Sequence, residues 1–297
     1  MQRPVQIEKE LNQIGTIKEL TGIFRGIASL RIAQIKNQVL QSQQFFHELW
    51  NIYTQIRVDN IFHFGRATSS EEVIDKELFI VITAEGGFSG DIDQKLIEWM
   101  LTHYDEKKND IIVIGHHGAI QLSQRGIGIK KYYKLPSKDR NINVLPVVAE
   151  VQKYRSSTVY YQTYVSLMVQ DVKRISLQTA VQEEGKAQEQ AEDDLPEDSI
   201  AKEIITEQNY IFEPSTFAVV DHLERSMLGI MVSQLILESK LAQYASRFRA
   251  MSAANDRAKD THDDLRLLYN RAKRALNDER LKEIVASMKQ FEKTMAR

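Results

Sequence analysis

The hydrophobic and polar positions divide the chain into three stretches with different periods. From Ser215 to Arg297 there is no proline and a single glycine, Gly229. Leu241, Tyr244, Phe248, Met251, Asn255, Ala258, His262, Leu265, Tyr269, Ala272 and Leu276 follow one another at alternating three- and four-residue steps. That is the spacing of a and d positions in a coiled-coil seam, narrower than the stripe of a helix lying on a globular core. At about 1.5 Å per residue, roughly 80 helical residues predict a rod of about 120 Å, too long to be buried in a domain of this chain's size. Asn255 and His262 stand at a positions, Ala258 and Ala272 at d positions. A polar a residue weakens the pairing while fixing its register, and small d residues let two helices approach closely.

The amino-terminal stretch supplies a partner. From Pro4, which suits a first helical turn, to about Asn60 no further proline occurs. Apolar residues recur at Ile7, Leu11, Ile14, Ile17, Leu20, Phe24, Ile27, Phe45, Leu49, Ile52 and Ile56. Gly15, Gly22 and Gly26 each weaken a helix by roughly 1 kcal/mol and fit close packing instead. The middle is polar at Arg31, Gln34, Gln38 and Gln41. A helix of about 55 residues, antiparallel to the carboxy-terminal one and outreached by it, is expected. The division expected is residues 1–65 for the first helix, 66–213 for an inserted body and 214–297 for the second helix.

The inserted body changes period. Glu77–Thr83 and Asp110–Gly115 are near-continuous apolar runs of strand length, separated by an amphipathic helix through Ile92, Leu96, Ile97, Met100 and Leu101. Such alternation predicts a parallel, Rossmann-like α/β sheet covered on both faces. Lys130–Leu135 and Asn141–Val144 read as shorter strands and Pro146–Arg155 as a helix. Thr158–Ser166 and Asp171–Ala180 read as an antiparallel pair. Glu183–Asp198 holds eight carboxylates and almost no large apolar residue, the composition of a solvated loop.

Composition narrows the function. The formal net charge is −2, which gives no global nucleic-acid footprint. There is no cysteine, hence no disulfide or thiol chemistry. No apolar run approaches the roughly 20 residues of a membrane span, and Glu8, Lys9 and Glu10 interrupt any secretory or transit segment at the start. The expectation is an intracellular protein that meets a membrane only peripherally.

Chemistry-bearing patterns are few. The loop Glu85–Gly90 (EGGFSG) lies between a strand and a helix, where backbone N–H groups attract anions. It lacks the lysine of a phosphate loop, and Glu85 and Asp91 place carboxylates beside any bound anion, so a tight structural turn is expected. Asp91 and Asp93 read as capping and dipole partners at a helix start. His116 and His117, taken as an extended pair, point to opposite sides and do not share a metal. No catalytic residue, cofactor or metal is expected.

Several segments resemble, in order, the gamma subunit of F-type ATP synthases. Glu85, Gly86, Gly87, Phe88, Ser89 and Gly90 resemble that family's D-x-G-L-C-G, and Ile114, Gly115, His116, His117 and Gly118 its I-G-x-K-G, with His117 in place of the lysine. Tyr210–Pro214 is close to Y-x-[FY]-E-P, Ala245–Ala254 to A-x-R-x-x-A-M-x-x-A, Tyr269–Lys273 to Y-N-[KR]-A-[KR], and Leu281, Glu283, Ile284 and Val285 fall on L-x-E-I-V. The resemblance covers nearly the whole chain. Arg274, Asn277, Asp278 and Arg280 depart from the family's Q-x-x-I-T-x-E-L, and Glu19–Gln34 looks more like the alternate, sodium-type bacterial branch.

What the resemblance implies is a central rotor stalk that catalyses nothing itself. Its partners are the alpha and beta subunits of the catalytic hexamer, the epsilon subunit and the membrane c-ring, on the cytoplasmic face of the bacterial inner membrane. A shaft needs polar grips to pass torque, and arginine pairs bidentately with carboxylates. Arg247, Arg249, Arg274 and Asp278 are therefore expected to contact the catalytic subunits, and Gly87 and Gly90 to shape a docking loop. The rival reading is a coiled-coil scaffold whose α/β body binds a regulatory ligand.

Overall fold

A computed structural model describes residues 4–56, 73–137, 139, 142–193 and 212–295, with the backbone alone for 186–193 and 290–295. In chain order the elements are α1 (Pro4–Ile56), β1 (Ile74–Ile82), α2 (Ile92–Leu101), β2 (Asn109–Ile114), α3 (His116–Gln124), β3 (Lys131–Tyr133), α4 (Leu145–Val151), β4 (Tyr154–Tyr164), β5 (Gln170–Ser176), α5 (Leu177–Asp193) and α6 (Thr216–Met295). The chain forms two compact units, one of residues 1–27 with 248–297 and one of residues 28–247.

In the first unit the two long helices run antiparallel, because Gly22 lies beside Asn255 and Gly15 beside His262. On α6 the covered or half-covered positions include Met251, Asn255, Ala258, His262, Leu265, Tyr269, Ala272 and Leu276, the seam expected from spacing. On α1 the covered row is Pro4, Ile7, Leu11, Ile14, Lys18, Thr21 and Arg25. Ile17, Leu20, Phe24 and Ile27, expected in the seam, are instead exposed. The reason is Asn255. Its Nδ2 donates to the Lys18 carbonyl at 2.7 Å and to Thr21 Oγ1 at 3.0 Å. A polar a residue buried against an apolar row would lose those bonds, so the polar face of α1 turns inward. Gly15 and Gly22 meet their neighbours at ordinary van der Waals distance, and Gly26 meets nothing. The covered row ends at Pro4, whereas α6 continues with residues 277–289 exposed.

The second unit is built on a sheet of order β3-β2-β1-β4-β5, five strands among the described residues. β1 pairs in parallel with β2 and β4, and β2 with β3; β4 and β5 are antiparallel. The pleat sends alternate residues to opposite faces. Leu78, Ile80 and Ile82 join a core with Val147 and Val148 of α4, Phe46, Trp50 and Tyr53 of α1, and Met227 to Ile236 of α6. Phe79 and Val81 join Leu96, Ile97 and Met100 of α2 on the other face. Here too α1 and α6 face each other, with the Tyr53 hydroxyl 3.1 Å from Glu224 Oε1.

Five expectations are corrected. Glu183–Asp193 is not a loop but part of α5, anchored by Leu177, Ala180 and Val181; residues 194–198 lie outside the described residues. The second strand of the hairpin stops at Ser176, and the run to Ala180 turns helical because Leu177, Ala180 and Val181 repeat at helical spacing. Residues 142–144 form no strand, Asn141 lying outside the described residues, and α4 ends at Val151 so that Tyr154 can begin β4. His116 and His117 are not extended: they open α3.

Gly115, between β2 and α3, has φ 108°, and a Cβ there would stand 2.1 Å from the Thr83 carbonyl oxygen. Gly126 has φ 73° but open space around it. Gly115→Ala therefore costs roughly 3 kcal/mol or more from strain plus overpacking, and Gly126→Ala about 1 kcal/mol from strain alone. Urea unfolding of the two variants measures the difference; equal costs would contradict the packing at Thr83.

Candidate functional site

In a doubly wound sheet the place for a ligand is outside the carboxyl ends of the strands, where the order reverses. Here that point lies between β1 and β4, with the Ala84–Asp91 loop above it. The elements meet there through a buried carboxylate. Asp93, in the first turn of α2, is 1% exposed. Its oxygens accept from the Ala84 N–H at 3.3 Å, from Gln162 Nε2 of β4 at 2.7 Å and from His117 Nδ1 of α3 at 2.8 Å. Gln162 passes the chain on: its Oε1 accepts from the Ser239 hydroxyl and from Gln243 Nε2, both on α6. Thr83 closes the other side, accepting from the Gly118 N–H at 3.0 Å. Asp93 is thus the hub of a buried polar network, which an acid at a helix start does not signal by sequence. Asp91, by contrast, makes no side-chain cap and pairs with Lys95 at 2.8 Å.

The loop itself is held from α6. Ser246 Oγ donates to the Ser89 carbonyl at 2.6 Å, and the Arg247 guanidinium donates to the carbonyls of Gly86 and Gly87 and to Ser89 Oγ. Gly90 takes φ 67°, a backbone conformation that side chains rarely adopt, and a Cβ there would stand 3.4 Å from Ser246 Oγ. Phe88, also at φ 67°, is 63% exposed at the loop's tip. Gln243 and Ser246 are buried at this point, and the loop carbonyls of Gly86 and Gly87 meet the Arg247 guanidinium. A second polar staple, Lys240 with Asp139 and the Pro136 carbonyl, holds the segment before α4; Arg31 of α1 joins Asp139 at 3.3 Å.

The sequence-selected residues are not brought together. Arg247 is spent on its own loop, with Gly87 exposed in that loop and Gly90 at its end. Arg249 is half-buried, and Arg274 and Asp278 are exposed one turn apart on α6. His117 is the residue that sequence reasoning set aside. An adjacent pair of histidines after a strand gives no sign of which ring will reach a buried acid.

A profile of the family described as ATP synthase matches residues 5–290. The chain belongs to the ATP synthase family. Among its relatives in that family, the ATP synthase gamma chain of Chlorobium phaeobacteroides is 24% identical over 300 residues, covering 94% of this chain and 95% of that one. The gamma chain of Halothermothrix orenii is 25% identical over 291 residues, covering 94% and 96%. A chain of the Euglena gracilis mitochondrial ATP synthase (OSCP/F1/c-ring, rotational state 3) shares the fold with TM-score 0.62 at 16% identity, over 96% of this chain and 94% of that one. A chain of the Tetrahymena thermophila central stalk/c-ring structure has TM-score 0.55 at 14% identity, over 79% and 99%. As a member of the ATP synthase family, matched along its length by gamma chains, this chain is a subunit of such a complex.

Within that family context the loop reads as a structural turn. Full-length protein in equilibrium dialysis is expected to take up no ATP or ADP at micromolar concentrations. Stoichiometric uptake, lost in Gly87→Val and Gly90→Val variants that keep the fold, would overturn that reading.

Proposed function

We propose that the chain is the non-catalytic central rotor stalk of a rotary F-type ATP synthase or ATPase. In this reading it couples ion flow through the membrane c-ring to ATP synthesis or hydrolysis in the alpha/beta hexamer. The observation that carries it is the second apolar row of α1. Ile17, Leu20, Phe24 and Ile27 recur at helical spacing on the face turned away from the seam, and all four are exposed. A shaft that worked in water would not keep such a row, whereas one enclosed by other subunits buries it. The exposed carboxy-terminal turns of α6, with Arg274 and Asp278, suit polar contacts inside the same enclosure.

The inserted body, residues 66–213 in the division proposed from sequence, then forms the foot, with epsilon and the c-ring as neighbours. Segments 1–65 and 214–297 form the shaft. Among the described residues no helix is long and apolar enough to cross a membrane, so attachment to the cytoplasmic face of a bacterial plasma membrane runs through the ring. The rotor differs from a scaffold in what it must carry: contacts that change among catalytic interfaces as it turns.

Affinity purification of the tagged chain is expected to bring nucleotide-binding alpha and beta subunits with it. Leu20→Asp with Ile27→Asp lowers that recovery at least tenfold while leaving the unfolding midpoint of the isolated chain within a few degrees, since both positions are outside the seam. Unchanged recovery would remove the apolar row from the interface. In the assembled complex, Arg274→Ala with Asp278→Ala is expected to lower coupled ATP turnover several-fold without loss of subunits; full turnover would remove these two from the torque path.

A further inference from the structure

Asp93 is gripped from three sides, by Ala84 at the end of β1, Gln162 of β4 and His117 of α3, and among these partners only His117 gains or loses a proton near neutral pH. We propose that His117 is a proton-operated clamp: charged, it fixes Asp93 and through it the polar chain from α2 to α6; neutral, it loosens that chain. The His117 ring is 37% exposed and so in exchange with solvent, whereas Asp93 is buried. A charged imidazole donates a charge-assisted bond and cancels the buried charge. A neutral ring leaves the carboxylate with uncharged donors alone, which a buried ion tolerates poorly. In the motif this segment resembles, a lysine stands at the His117 position and cannot release its proton at these pH values.

Among the described residues, the groups bonded to Asp93 include no cation besides His117. The ring meets Asp93 of α2; the other groups on that carboxylate are the Ala84 N–H and the neutral Gln162 of β4, itself bonded by Ser239 and Gln243 of α6. Beside it on the loop, Glu85 accepts from the backbone N–H groups of His116 and Leu135 and from the Tyr132 hydroxyl of β3. The His116 ring packs edge-on to Tyr132. Arg247 is directed at the carbonyls of Gly86 and Gly87.

The direction of the effect follows. The bond to Asp93, opposed by burial and helped by the Asp93 charge, raises the pKa of His117. A value raised in the folded state gives stabilisation that is complete below the unfolded value, about 6.5, and is lost as pH rises through the folded value. Grip on α6 therefore weakens on the alkaline side.

Hydrogen exchange of the full chain tests this at pH about 6 and about 8.5, corrected for the intrinsic rate. Peptides over 84–97 and 236–247 are expected to exchange faster at the higher pH, by up to about tenfold for each unit by which the pKa is raised. In His117→Lys the difference should vanish with protection retained; in His117→Gln it should vanish with protection low at both pH values. Equal protection of the wild type at the two pH values, or an unaltered pH difference in His117→Lys, overturns the clamp. An NMR titration of His117 needs no variant: a pKa at or below the ordinary value would also overturn it. None of these outcomes depends on the rotor reading, so the two fail separately.

Discussion

The arrangement of the second unit depends on one buried carboxylate. Asp93 costs several kcal/mol to desolvate and is kept because every neighbour supplies a donor. The Ala84 N–H fixes the end of β1, Gln162 fixes β4, and His117 fixes α3. Remove one partner and the charge remains. Apolar burial on the two faces of the sheet supplies more total free energy, but it is not directional. The carboxylate decides where the helix ends meet the sheet, and so where the loop and α6 must lie.

That placement brings α6 against the point where the strand order reverses. In doubly wound folds the reversal of strand order opens a ligand crevice. Here Gln243 and Ser239 enter the crevice from α6 to bond Gln162, and Ser246 and Arg247 tie down the loop above it. The same binding geometry has been turned on a piece of the chain itself. The carbonyls of Gly86 and Gly87 accept from the guanidinium, and Phe88 stands exposed at the loop's tip. A tie of this kind makes α6 part of the sheet's own core, as a torque-bearing junction requires.

Sequence patterns reveal the features set by burial and hide those set by polar bonding. The α6 seam, β1 and β2 are legible because their apolar residues repeat with one period over a long enough run. α3 is hidden because His116 and His117 follow a strand and read as its extended continuation, and only the approach of Gly118 to Thr83 shows why a helix fits there. α5 is hidden because its carboxylates dominate the composition while three residues, Leu177, Ala180 and Val181, do the anchoring. Gly185 completes that docking, since a Cβ there would stand 2.1 Å from the Trp50 ring. Asp93 is hidden because an acid in a first helical turn normally signals a dipole partner in water. Of the site, the loop was legible and its ties were not: Arg247 was visible as a grip, but not as a grip on its own chain.

The choice of face on α1 shows how far a single polar residue reaches. The helix carries two rows at coiled-coil spacing, one apolar through Ile17, Leu20, Phe24 and Ile27, one mixed through Ile14, Lys18, Thr21 and Arg25. Hydrophobicity alone favours pairing the apolar row with α6. Each of those side chains, fully buried, is worth about 2 kcal/mol. Asn255 opposes this, because an amide sealed against leucine and isoleucine forfeits about 1–3 kcal/mol for each group left unbonded. Its bonds to Lys18 O and Thr21 Oγ1 tip the balance only if the apolar row loses little by facing outward. It loses little when another subunit covers it. The orientation of α1 thus sets the two bonds of Asn255 against the apolar row and leaves that row exposed.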